Sequence, residues 1–302
     1  MKMEAGAAEE ILKLLDSSLS VIKWRLRPSS KRRLETDVLA LCAGLRAVVM
    51  VDYGGKMPEL QNHLCSLLSL ISKMVSVQES TILLPLRVMI IDDMIYMVHP
   101  KELAEYAVAS LSSETQLLFI DLAKDPPKML LHTDQNLVLS ELLSIQKLFL
   151  SIFSVDDTCA QPSGCKAIDN VCASTPQISE LIDLSGIMKD VQITLPTLNG
   201  WLLGYPVVYL FGKDHATDAV YNLSTKSLHI YQIMIKRSRK SDTKFEELMS
   251  FTVPYDLSLR EEKEPWAEAF LARLLAKFEC CKPVWTNMQL EVNQCYPQSI
   301  VL

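Results

Sequence analysis

The sequence predicts a mixed α/β (α+β) fold, with parallel β-α-β units in the first half joined to an antiparallel meander in the second, in a mixed sheet flanked by helices. Three observations lead there. Short apolar, β-branched runs ending at Asp recur three times before residue 154, and each is followed by a helical stripe, which is the grammar of right-handed crossover units. Beyond residue 190, strand-like runs follow one another across turns and charged pieces, the pattern of antiparallel neighbours. A composition of 49% apolar and 22% charged residues over 302 positions supplies a full core, and we read residues 1–302 as a single globular domain.

The elements follow in order. From Ala8 to Leu26 the residues Ile11, Leu12, Leu15, Leu19, Ile22 and Leu26 fall at spacings of three and four, one stripe of an amphipathic helix that Pro28 closes. Lys23, Arg25, Arg27, Lys31, Arg32 and Arg33 surround that proline and read as a solvated helix end with cations at its C-terminus. A helix over Leu34 to Gly44 precedes Arg46 to Asp52, whose continuous β-branched run suits a strand buried on both faces. The turn Asp52-Tyr53-Gly54-Gly55 leads to a helix opened by Pro58 and striped by Leu60, Leu64, Leu67, Leu68, Ile71 and Met74. The second unit is the strand Leu86 to Ile91, the Asp92-Asp93 pair and a helix from Pro100 to about Leu111. The third is Leu117 to Ile120, Asp121, a turn at Asp125-Pro126-Pro127 and a long helix from Asp134 to Phe153 with Asp134 as its cap.

Residues 154–176 carry Ser, Thr, Asp and three cysteines with little apolar periodicity, and we expect an exposed flexible loop. Cys159, Cys165 and Cys172 lack the tight Cys-x2-Cys spacing and an accompanying histidine, so no metal site is read there. A short helix is expected around Ile178 to Met188, then strands at Val191 to Leu195, Leu198 to Phe211, Leu228 to Ile235 and Leu248 to Val253. The run Pro196 to Gly212 is the densest aromatic and aliphatic stretch of the second half. Gly200, Gly204 and Pro206 interrupt it, so we expect a kinked, buried strand in which Trp201, Leu203, Tyr205, Val207 and Tyr209 alternate with Leu202, Val208 and Leu210. A helix over Pro265 to Phe278 and a strand over Val284 to Val292 close the chain.

Charge and patterning exclude several functions. A net charge of -6 argues against nucleic acid, and the second basic cluster, Lys236 to Lys244, carries no aromatic residue on which a base would stack. Acidic residues stand where a signal peptide would carry its apolar centre, and no apolar run reaches the ~20 residues of a membrane span. The expected location is therefore the cytoplasm, with the nucleus as the other choice, and the eight cysteines are read as free thiols. No Gly-x-Ser-x-Gly elbow, phosphate loop or dinucleotide fingerprint occurs, and no cofactor is expected.

The candidate catalytic residues are Asp52, Asp92, Asp93 and Asp121 at strand ends, with His99 downstream of one of them and His132 of another. The carboxyl ends of parallel strands face the crevice where ligands bind, so converged carboxylates there would hold Mg²⁺ or share a proton. Equally, Asp caps helices and fixes turns. The expected function is a protein-interaction domain without catalytic activity, binding a protein partner by a loop or sheet edge. The alternative is a metal-dependent hydrolase or nucleotide-binding enzyme built on those carboxylates.

The string Leu198-Asn-Gly-Trp-Leu-Leu-Gly-Tyr-Pro-Val-Val-Tyr-Leu-Phe211, with Phe251-Thr-Val-Pro254 and the Asp52-Tyr53-Gly54-Gly55 turn, resembles the uncharacterised family named after the human chromosome 1 open reading frame 74 protein. The resemblance covers most of the chain outside the cysteine-bearing loop. It implies a domain of unknown function and supplies no catalytic residue to carry over.

Overall fold

The computed structural model describes residues 5–77, 85–111, 117–130, 136–153, 181–238, 244–258 and 264–300. Helices α1 (Ala5–Ile22) and α2 (Pro28–Cys42) open the chain, and β1 (Val48–Met50) leads into α3 (Glu59–Val77). Next come β2 (Arg87–Ile91), β3 (Met94–Val98) and α4 (Pro100–Leu111), then β4 (Leu118–Asp121), β5 (Lys128–Leu130) and α5 (Leu137–Ile152). The second half holds β6 (Leu181–Asp183), α6 (Leu195–Leu202), β7 (Val207–Leu210) and α7 (Ala216–Ser224). It ends with β8 (Leu228–Arg237), β9 (Glu246–Pro254), α8 (Pro265–Phe278) and β10 (Trp285–Cys295). The mixed α/β class is as the sequence predicts, and α4 and α8 span the residues read for them.

The pairings differ from expectation. Three sheets form, in the orders β1-β3-β2-β6, β5-β4-β7 and β10-β8-β9. In the first half β3 runs antiparallel to both its neighbours, β1 and β2, because Asp92 at φ +51° turns the chain at once and β3 returns alongside β2. The parallel pairs are β2–β6 and β4–β7, each joining one half of the chain to the other. In the third sheet β8 and β9 make the expected antiparallel hairpin, but β10 comes back beside β8 rather than β9, and α7 separates β7 from β8.

The Pro196 to Gly212 run is not a kinked strand. It is the buried helix α6, a left-handed turn at Gly204 (φ +75°), and then β7. The turn is a Schellman motif: Tyr205 N donates to Gly200 O (3.1 Å) and Gly204 N to Trp201 O (2.9 Å), and Pro206 prevents the helix from continuing. Trp201, Leu202 and Leu203 therefore follow a helical period rather than alternating across a sheet. The stretch read as a strand at Val191 to Leu195 makes one isolated bridge, Ile193 to Gly212. Within the helix read at Ile178 to Met188, the described part is β6 and a 3₁₀ turn, Ser185–Met188. Asp134, His132 and the segment 154–176 lie outside the described residues, and Asn136 caps α5 by accepting from Leu139 N (3.1 Å).

The first two sheets have apolar residues on both faces. Val49, Val88, Ile90, Ile95 and Met97 enter one core with α1, α2, α3, α8 and the third sheet. Their neighbours Val48, Met89, Ile91, Tyr96 and Val98 enter a second core with α4, α5 and α6. The strands β4 and β7 divide in the same way, with Ile120 and Val207 on the first side and Phe119 and Val208 on the second, as the period of two in a pleated strand requires.

Candidate functional site

The strand-end carboxylates do not come together as a group. Asp52 follows β1, and Asp92 and Asp93 form the β2–β3 turn. Since both β1 and β2 run antiparallel to β3, these three exposed residues share one end of the first sheet. His99 is at the opposite end, just past the C-terminus of β3, and Asp121 belongs to the second sheet. Asp121 Oδ1 accepts from Ala123 N (2.9 Å) and its Oδ2 lies 3.5 Å from Lys124 Nζ, so it fixes its own turn. His99 is buried and its Nδ1 accepts from Glu102 N (3.2 Å) in the first turn of α4, an N-cap role. Among the described residues no three of His, Cys, Asp or Glu are grouped so as to hold a metal ion.

The third sheet has two edges, and the chain treats them differently. At β9 three backbone carbonyls accept from side chains outside the sheet. Arg33 Nη1 donates to Glu247 O (2.8 Å), Arg46 Nη1 to Leu248 O (3.1 Å) and Tyr209 Oη to Thr252 O (2.8 Å). Arg33 is held in turn by Asp37 Oδ2 (3.2 Å), which also accepts from Tyr53 Oη (2.8 Å). Asp37 is fully buried; desolvation pushes its carboxyl above the usual range, while Arg33, Arg46 and the Tyr53 hydroxyl pull it back. Desolvation also raises the Tyr209 hydroxyl, with the Thr252 bond opposing it. Further along, Arg237 is buried and donates from Nη1 to Glu35 (2.6 Å), with its Nε 3.1 Å from Glu246. The basic cluster around Pro28 is thus in part the set of donors that closes β9 against α2.

At β10 there is no such closure. Among the described residues its backbone partner is β8 alone and no side chain donates to its other edge. The strand has 11 residues, roughly twice the usual length. Its single charge is Glu291, and it has no Pro or Lys of the kind that blunts natural edges. Val292 is 49% exposed and Tyr296, just past the strand, 73% exposed. Sequence reading finds this strand but not its edge position, because pairing with β8 is set about 60 residues away.

These features define a mixed α/β protein with one sheet edge closed and one open. A family model described as Domain of unknown function (DUF4504) matches residues 16–302, a span that includes the cysteine-bearing stretch, and the chain belongs to that family. Neither the comparison with curated proteins nor that with solved structures returned a match. Among the described residues no helix is long and apolar enough to cross a membrane.

Proposed function

We propose that this protein is an interaction domain without a catalytic step, and that it engages a protein partner by accepting an extended strand onto β10. The observation that carries this reading is the contrast between the edges: β9 carbonyls are taken up by Arg33, Arg46 and Tyr209, while β10 presents 11 residues with a single charge and, among the described residues, no side-chain donor to its backbone. Added strands bind through main-chain hydrogen bonds, with specificity from alternate side chains, and here Val292 and Tyr296 supply the exposed apolar contacts. A partner strand with an amide or cation opposite Glu291 fits best. The net charge of -6 favours protein over nucleic acid as that partner.

We also take the family to be the one named after the human chromosome 1 open reading frame 74 protein, on the Leu198 to Phe211, Phe251 to Pro254 and Asp52 to Gly55 strings, and place the protein in the cytoplasm with the nucleus as the second choice. A metal-dependent hydrolase or nucleotide-binding reading would rest on Asp52, Asp92 and Asp93 without Asp121 or His99.

The test is affinity capture with the full chain and with a Val292→Lys/Tyr296→Lys variant, checking by circular dichroism that the variant folds. We expect specific partners, or a second copy of the chain, to be lost from the variant. An identical partner set for both proteins would count against β10 as the docking edge.

A further inference from the structure

A cavity of about 330 Å³ lies where two helix ends meet. Like α6, α2 ends in a Schellman turn, with Leu45 N donating to Ala40 O (3.0 Å), Gly44 N to Leu41 O (3.0 Å), and Gly44 at φ +68°. The residues leaving the two turns, Leu45 to Val48 and Tyr205 to Pro206, are in the lining of the cavity. Tyr106 of α4 and Phe270 and Leu274 of α8 complete the apolar part of the lining. A volume of this size is at the small end of ligand sites, and the apolar lining with a few polar groups is their usual make-up.

The polar groups are unbalanced. Arg46 lines the cavity and is 6% exposed. Its Nη1 donates to Leu248 O and its Nη2 to Leu203 O (3.4 Å), its Nε has no partner, and no carboxylate lies within ion-pair distance of it among the described residues. Asp37 and Glu247 act on it from further away, and Arg33 opposes them. Glu247 is committed elsewhere, to Gln232 and Ser250, and Asp37 bonds Arg33 and Tyr53 through Oδ2 alone, its Oδ1 having no hydrogen-bond partner among the described residues and lying beyond ion-pair distance of Arg46. A buried guanidinium served by carbonyls alone retains its full charge, and a buried charge without a counter-ion is costly. Arg273, also in the lining, is exposed and makes no hydrogen bond or ion pair among the described residues. Tyr205 is also in the lining, and its hydroxyl makes no hydrogen bond among the described residues. Lys277 is held by Gly44 O (3.2 Å) and Glu102. The one acid of the lining, Glu105, is 3.9 Å from Lys101.

We propose that this cavity is a binding site for a small amphipathic anion, whose apolar body lies against Phe270, Leu274 and Tyr106 and whose single carboxylate or phosphate head is drawn to Arg46, Arg273 and the Tyr205 hydroxyl. The site is separate from the β10 edge, so either proposal stands if the other fails.

Calorimetric titration of the full chain with decanoate, decyl phosphate and decanol tests it. We expect at least one anion to bind with a stoichiometry of one, and decanol to bind roughly tenfold more weakly or worse, the loss typical when hydrogen bonds to a charged group are removed. Whichever anion binds better identifies the head group. Arg46→Met should abolish the preference, but it also removes the bonds to Leu203 and Leu248 and risks unfolding the chain. Two variants on the exposed faces of the helices avoid that risk. Arg273→Glu should weaken the anion by about threefold or more while leaving decanol unchanged. Ala109→Phe, which places a ring in the lining, should weaken both. Equal binding of anion and decanol, no binding of either anion, or full binding by Ala109→Phe would each overturn the assignment.

Discussion

His99 shows how one side chain changes meaning when its surroundings are known. In sequence it stands with the strand-end acids as a titratable candidate; in the fold its Nδ1 must be unprotonated to accept the Glu102 N–H at 3.2 Å. Burial lowers its pKa from the usual 6.5, with Glu102 and Glu105 opposing and Lys101 adding to the effect. The sign follows from proton counting. As pH falls through 6.5 the unfolded chain takes up a proton that the folded chain resists, so the contribution is present above that pH and is lost on acidification. Between about pH 7.5 and about pH 5.5, the wild-type protein should lose more stability in urea titrations than His99→Asn, whose amide caps without titrating. Parallel losses in the two proteins would show that the ring does not cap α4. Other titrating groups are common to both proteins and cancel in the difference.

At the scale of elements, the stretch from Leu198 to Phe211 shows where sequence reading divides. Gly204-Tyr205-Pro206 is punctuation that ends a helix or bends a strand, and a helix of eight residues is too short to separate a period of 3.6 from one of 2. The choice is made by packing between successive elements: a Cβ on Gly200 would lie 3.3 Å from Val208, so α6 packs directly on the strand that follows it. A Cβ on Gly204 would meet nothing within 4 Å, and its cost is therefore the left-handed backbone alone. Gly204→Ala should lose about 1 kcal/mol in thermal or urea unfolding, and Gly204→Asn less, since Asn tolerates that conformation. Equal losses for Ala and Asn would argue against the Schellman turn. Where several local signals agree, sequence is enough: α4 and α8 each begin at a proline and carry an apolar stripe to their ends. Asp92-Asp93 lacks the Asn-Gly or Asp-Gly signature of a tight hairpin, so β3 is hidden behind it. Of the two sites, the open edge is legible only as a strand, because its neighbours are chosen by the fold. Arg46 is visible as a charge at the head of an otherwise apolar run, and that mismatch is the signal for the cavity.

For the whole molecule, the decisive feature is that the two cores share their strands. In β2, Val88 and Ile90 face the first core while Met89 and Ile91 face the second, and β3 repeats the alternation with Ile95 and Met97 against Tyr96 and Val98. Loosening the second core removes cover from one face of strands whose other face holds the first, so the two should unfold together as one cooperative unit. Trp201 provides the lever. It is fully buried in the second core, packs edge-on against Phe149 at 5.3 Å, and donates from Nε1 to Ser110 Oγ at 2.9 Å. Truncation to alanine should cost ~3–5 kcal/mol, a large part of the ~5–15 kcal/mol that a domain has to lose. The other three tryptophans, Trp24, Trp266 and Trp285, all belong to the first core or pack against it. In Trp201→Ala, tryptophan fluorescence therefore reports the first core alone, while far-ultraviolet circular dichroism also follows α4, α5 and α6 of the second. A single domain requires both signals to move to the same lower midpoint. If fluorescence kept the wild-type midpoint while circular dichroism fell ahead of it, the cores would be separate folding units and the shared strands would not couple them.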